Sequence, residues 1–141
     1  MSPKVRNVLF VFLIFLVFTV LYMTGVISGV SVDTSPEGFT FYGPNKTTAF
    51  VAFADVWEMR YVEDPDYGTA VDGGAKSRCL YGTWENEDWG CYQAFVQTKI
   101  PACIAVFTDE QVIVFNYESK AVTRAVQEEF SDYCAKLRES P

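Results

Sequence analysis

The sequence predicts an α+β chain: one N-terminal transmembrane helix, then a domain of about seven antiparallel strands closed by a C-terminal amphipathic helix. Three observations lead there. No charged residue occurs from Val8 to Val32, short apolar runs separated by turn residues recur from Gly38 to Tyr117, and apolar residues at spacings of three and four begin near Ser119.

Each element can be justified in order. Residues 1–7 carry Lys4 and Arg6, and residues 8–32 follow as an apolar stretch rich in Val, Leu, Ile and Phe. Twenty-five residues in a helix reach about 37 Å, enough for a bilayer core of about 30 Å with some tilt. The competing reading is a cleaved signal peptide, because a basic flank and an apolar core also describe one. Apolar character continuing through Val26, Ile27, Val30 and Val32, and the lack of an A-x-A site, favour the uncleaved anchor.

Flanking charge orients the span. Lys4 and Arg6 precede it, Asp33 and Glu37 follow it, and the next base is Lys46. The positive-inside rule then puts the N-terminus in the cytoplasm and the rest outside a cell membrane crossed once. Cys79, Cys91, Cys103 and Cys134, an even number beyond the span, agree with an oxidising compartment. Asn45-Lys46-Thr47 is an N-x-T sequon, making Asn45 a candidate glycosylation site in that setting.

Residues 33–37, with Ser35 and Pro36, read as a linker. Strands are expected at Gly38–Tyr42, with Phe39 and Phe41 inward, at Thr48–Phe53, and at Val56–Glu63, where Trp57, Met59 and Tyr61 share one face. A Gly- and Asp-rich loop is expected from Asp64 to Ala75. Further strands at Lys76–Gly82, Cys91–Thr98, Ala102–Thr108 and Val112–Tyr117 complete the set, the last two joined by a tight turn at Asp109-Glu110. Because those two are apolar on both faces, both faces need cover. A helix over 119–137 supplies it, with Ala121, Val122, Ala125, Val126, Phe130, Cys134 and Leu137 inward. Residues 138–141 form a tail.

The runs Ser77-Arg78-Cys79-Leu80-Tyr81-Gly82, Trp89-Gly90-Cys91-Tyr92, Cys103-Ile104-Ala105-Val106-Phe107-Thr108 and Gln111-Val112-Ile113-Val114-Phe115, with a closing helix, carry a resemblance. In this order of elements, residues 38–137 resemble the pleckstrin-homology-like domain of small prokaryotic membrane proteins. The resemblance implies a fold and a membrane association and no particular site. The four cysteines stand outside that pattern and suggest a stapled variant exposed outside the cell.

Those cysteines are the main chemical signal. A hairpin centred near residue 85 would set Cys79 opposite Cys91, and Cys103 on a core strand would meet Cys134 on the helix stripe, so disulfides 79–91 and 103–134 are expected. A four-cysteine zinc site lacks C-x₂-C spacing, and a cysteine nucleophile lacks a base, since the chain has no histidine. The acidic loops from Glu63–Asp66 through Asp72-Gly73-Gly74 and at Glu85–Asp88 offer oxygens without the spacing of a calcium loop and read as solvated in preference to weak cation sites. Trp84 and Trp89 bracket the second of them and are candidate partner-binding residues.

Composition narrows function. The chain of 141 residues has 18 acids and 11 bases, a formal charge of −7, which opposes nucleic-acid binding. No histidine means no histidine triad or imidazole shuttle, so neither an enzyme nor a cofactor is implied. The favoured function is a membrane-anchored extracytoplasmic binding module, an accessory subunit for another membrane protein, held to the bilayer through residues 8–32. The alternatives are a ligand or lipid-headgroup module, opposed by the acidic loops, and a secreted protein released by signal cleavage.

Overall fold

The computed structural model describes residues 2–23, 29–76 and 78–139, with the side chains of residues 21–23 left out. It confirms the α+β class: an apolar N-terminal helix, a sheet-rich domain and a C-terminal helix. The first helix, α1, spans Pro3–Met23. Ser2 caps it, its hydroxyl accepting from the Val5 N–H at 3.3 Å. Thr19, the polar interruption, donates its hydroxyl to the Phe15 carbonyl at 2.9 Å, a bond that a lipid environment would otherwise leave unmade. This is the one described helix long and apolar enough to cross a membrane, and its span Pro3–Val20 is buried nowhere in the fold.

The apolar stretch therefore divides. Residues 24–28 of the expected 8–32 span lie outside the described residues, and the part that follows belongs to the domain. Ser31–Thr34 is strand β1, paired with β2 (Gly38–Tyr42) from Ser31↔Tyr42 to Thr34↔Phe39. Val30 and Val32 pack on the domain core, so their hydrophobicity serves the core. The expected linker 33–37 is the end of β1 and a tight turn, closed by the Ser35 N–H donating to the Gly38 carbonyl at 2.9 Å.

Among the described residues nine strands form two sheets, against seven expected. β1, β2 and β3 (Thr48–Ala52) make a three-stranded antiparallel sheet. Gly38 is obligatory there, because a Cβ on it would stand 2.0 Å from the Val51 carbonyl oxygen. The second sheet runs β4-β8-β9-β7-β6-β5 and contains β4 (Glu58–Glu63), β5 (Thr69–Lys76), β6 (Cys79–Asn86), β7 (Gly90–Gln97), β8 (Ala102–Phe107) and β9 (Val112–Phe115). Its pairs are antiparallel except β7 with β9, which is parallel through Gln93↔Ile113, Ala94↔Val114 and Phe95↔Phe115. The all-antiparallel expectation fails at that pair.

The expected loop 64–75 is mostly edge strand β5. Gly73 and Gly74, which look like loop punctuation in the sequence, let β5 approach β6: a Cβ on Gly73 would meet the Tyr81 carbonyl oxygen at 2.2 Å. The strand expected at 76–82 starts later, at Cys79, after Arg78 takes a left-handed conformation at φ 61°; Ser77 lies outside the described residues.

Two clusters lie on opposite faces of the larger sheet. On one face Phe39, Phe41, Phe53, Phe95, Ile104, Val106, Ile113 and Phe115 meet Phe130, Cys134 and Leu137 of α2 (Lys120–Glu139). Phe53 stacks on Phe130 with ring centroids 5.2 Å apart. On the other face Leu80, Trp89, Tyr92, Val96, Cys103, Ala105 and Val114 gather. β8 has all six residues buried, as a strand covered on both faces should.

Ser119 starts α2, its hydroxyl accepting from the Val122 N–H at 3.1 Å. The buried stripe is rotated from the one expected, since Ala121 and Ala125 are exposed while Thr123 is fully buried. The Thr123 hydroxyl accepts from the Tyr117 N–H at 3.0 Å and donates to the Ser119 carbonyl at 2.7 Å, so a polar residue holds the helix start against the sheet. The tail residues 140 and 141 lie outside the described residues.

Candidate functional site

Neither expected disulfide forms; all four cysteines are free. The β6–β7 hairpin turns at residues 87–89, where the Asn86 side chain accepts from the Trp89 N–H at 2.7 Å and Gly90 takes φ 67°. Cys79 therefore opposes Gln97, and Cys91 opposes Glu85. Six strand positions separate the two cysteines, about 20 Å, far beyond the ~7 Å limit for Cα atoms in a disulfide. The second pair fails on parity. Cys134 belongs to the cluster containing Ile104 and Val106, whereas Cys103 points to the opposite face with Ala105. Bringing Cys103 to the helix would need a one-residue slip that turns every β8 side chain over.

Cys103 has a different neighbourhood. The Tyr67 hydroxyl is buried beside its thiol without a nitrogen or oxygen partner, and the Tyr92 hydroxyl donates to the Tyr67 carbonyl. Burial pushes both phenols above their ordinary range and the Cys103 thiol up to about 12, with the Tyr67 contact pulling slightly the other way. These three groups, protonated at neutral pH, pack the far face of the larger sheet.

The tryptophans expected to bind a partner are largely committed inward. Trp89 is 9% exposed and meets Tyr92 edge-on at 5.3 Å. Trp84 is half-buried, its indole N–H donating to the Tyr81 carbonyl at 3.0 Å. Asn45 is exposed in a short 3-10 turn at φ 59°, and its side-chain amide donates to the Tyr81 hydroxyl at 3.2 Å. The two acidic loops, far apart in sequence, meet at the hairpin end, where Asn86 donates to the Asp66 carbonyl at 2.9 Å. Among the described residues no group of three Asp, Glu, His or Cys is disposed to hold a metal ion.

A different surface carries two exposed aromatic rings. Phe50 on β3 is 49% exposed and Trp57, just before β4, is 45% exposed. They flank a groove of about 470 Å³ whose other walls come from Asp55, the turn Thr108–Gln111 and Arg138 of α2. Trp57 is fixed from behind, its N–H donating to the Phe107 carbonyl at 3.0 Å and its ring lying 5.4 Å from that of Phe107. Gln111 donates to the Phe50 carbonyl at 3.3 Å and so ties the turn to the outer edge of β3. This arrangement brings apolar rings, an open strand edge and charges of both signs to one hollow.

Sequence reasoning placed Trp57 inward with Met59 because strand alternation was extended one turn too far. The 3-10 turn at Phe53–Asp55 precedes it, and β4 begins only at Glu58. Pattern alone gave no signal for this ring's exposure.

No protein-family model, curated protein or solved structure matches this chain.

Proposed function

We propose that the chain is a single-pass membrane protein whose domain, held outside the bilayer with the N-terminus in the cytoplasm, binds another membrane protein as an accessory subunit. The observation that carries this reading is the groove between Phe50 and Trp57, two large apolar rings left to water on either side of one hollow. Exposure of α1 from Pro3 to Val20 supports the anchor, and Lys4 and Arg6 support the orientation. With the cysteines apart, compartment redox no longer contributes to the placement.

The pleckstrin-homology-like outline belongs to the same proposal. Two sheets packed around a common core and sealed by a C-terminal helix favour it, while the parallel β7–β9 pair departs from it. Purification of the full chain from its native membrane in mild detergent tests the function. A stoichiometric partner that is lost in Phe50→Ala/Trp57→Ala and retained in Trp84→Ala supports it. A chain that purifies alone, or a partner indifferent to the double substitution, refutes it.

A further inference from the structure

The geometry points to a second contact surface, one that takes another copy of this chain: the outer edge of β5 pairs antiparallel with the β5 edge of the second copy, around a two-fold axis at Gly74. β5 ends the larger sheet and no strand pairs with its outer side, and an unpaired edge is a template for another strand. The register of β5 with β6 is broken between Ala70 and Asp72, then runs regularly from Asp72↔Thr83 to Lys76↔Cys79. Asp72-Gly73-Gly74-Ala75-Lys76 is thus a regular edge, exposed along its length except at half-buried Gly74. Its three middle residues carry no side chain larger than a methyl group, which leaves the edge itself unobstructed.

Hydrogen-bond parity decides which backbone groups of this edge are free. The Thr98 N–H donates to the Arg78 carbonyl at 2.9 Å, so even-numbered residues at this end of β6 bond to β7, and the odd-numbered Cys79, Tyr81 and Thr83 bond to β5. Their partners are Lys76, Gly74 and Asp72. The Asp72 carbonyl agrees, facing β6 within 2.6 Å of where a Cβ on Gly82 would stand. The N–H and C=O groups of Gly73 and Ala75 therefore point outward. In an antiparallel pair centred on Gly74, Gly73 of each copy meets Ala75 of the other, and those free groups bond to one another. Asp72 of each copy then opposes Lys76 of the other at non-hydrogen-bonded positions, where opposed side chains come closest.

Charge selects this partner and this direction. Asp72, Lys76 and Arg78 are exposed, and among the described residues none has an ion-pair partner. A parallel approach sets like charge against like, whereas the antiparallel one pairs Asp72 with Lys76 twice. The polarity continues beyond the strand: Asp66, Glu85, Glu87 and Asp88 share a hollow with its first residue, Thr69, and Arg78 follows its last. The two-fold axis turns each end toward the opposite end of the other copy. Glu63, Asp64 and Glu118 share the Lys76 end of the sheet but follow β4 and β9, five and three strand spacings from β5, or about 24 and 14 Å. Lys46 adjoins Asn45, which shares a hollow with Asp72, yet no ion pair joins the two. Trp57 precedes β4 at the other edge of the sheet, so the Phe50–Trp57 groove stays open to a different partner. One short edge is small against the roughly 1,200 Å² that stable complexes bury. The pair is therefore a weak one, favoured where a shared bilayer concentrates anchored chains.

Zero-length carbodiimide coupling of the full-length chain in isolated membranes tests the pairing. Within one copy Asp72 and Lys76 are four strand positions, or about 13 Å, apart, too far for a direct amide, so an Asp72–Lys76 link reports two copies. The expected result is a band of doubled mass whose peptide map holds that link. Cysteine variants read the charges without depending on the coupling chemistry. In a Cys91→Ser background, which removes the exposed native thiol, Gly74→Cys should form a disulfide between copies under mild oxidation. A side chain at Gly74 meets the far end of the Tyr81 ring at 3.2 Å, which has room to turn aside. Adding Asp72→Lys should lower the disulfide yield at least about fivefold, and adding Lys76→Asp to that variant should restore it. No doubled band in either assay, a doubled band linked through other residues, or a disulfide yield indifferent to Asp72→Lys overturns the pairing.

Discussion

Asn116 shows what a single side chain does for this fold. It is 4% exposed, donates to the Gln97 carbonyl at 3.0 Å and the Ala102 carbonyl at 3.1 Å, and accepts from the Gln97 N–H at 2.8 Å. One amide thereby satisfies three backbone groups where β7 hands the chain to β8. Asn116→Ala leaves them unpaired and is expected to cost about 3 kcal/mol, read as a lowered unfolding midpoint in urea. Thiols give a second prediction at this scale. Cys91 is exposed while Cys79, Cys103 and Cys134 are buried, so alkylation of the native chain should modify Cys91 rapidly and the others only on unfolding. Recovery of a 79–91 or 103–134 disulfide from non-reducing peptide maps would contradict the register described above. Alkaline pH supplies a third. Because burial holds the Cys103 thiol at about 12 when folded, only the unfolded chain releases that proton between about pH 9 and 12. Stability should fall across this window, and less steeply in Cys103→Ala than in the native chain.

Among the elements, those with a strong local pattern were legible and those made by pairing were not. β2 announces itself through Phe39 and Phe41, both fully buried as alternation requires, and β8 and β9 through continuous apolar runs. β5 was hidden because Gly73 and Gly74 serve close strand approach in the fold yet read as loop in the sequence. β1 was hidden because Val30 and Val32 continue an apolar stretch that α1 had already begun. The hairpin turn was misplaced by about three residues, enough to create an apparent disulfide. For the site, sequence supplied the aromatic residues without saying which would face water: Trp89 became core, while Trp57 and Phe50 became surface. The close contact at Gly38 gives an element-scale test. Gly38→Ala drives a Cβ into the Val51 carbonyl and should separate β2 from β3, lowering the melting temperature by several degrees and removing near-ultraviolet circular dichroism from the phenylalanine-rich core.

At the scale of the whole molecule, two features of charge and hydrophobicity organise the chain. An apolar helix whose span Pro3–Val20 is buried nowhere in the fold is joined through a short segment to a domain with an acidic hollow at its hairpin end. The formal charge of −7 averages a basic N-terminal flank and an acidic domain and so conceals the difference between them. The central claim is that α1 is retained as an anchor, and alkaline carbonate fractionation of expressed full-length chain, with intact-mass analysis of the product, tests it directly. The predicted result is a chain that keeps residues 3–23 and stays in the membrane pellet. A shortened chain beginning after α1 and recovered in the soluble fraction would contradict it.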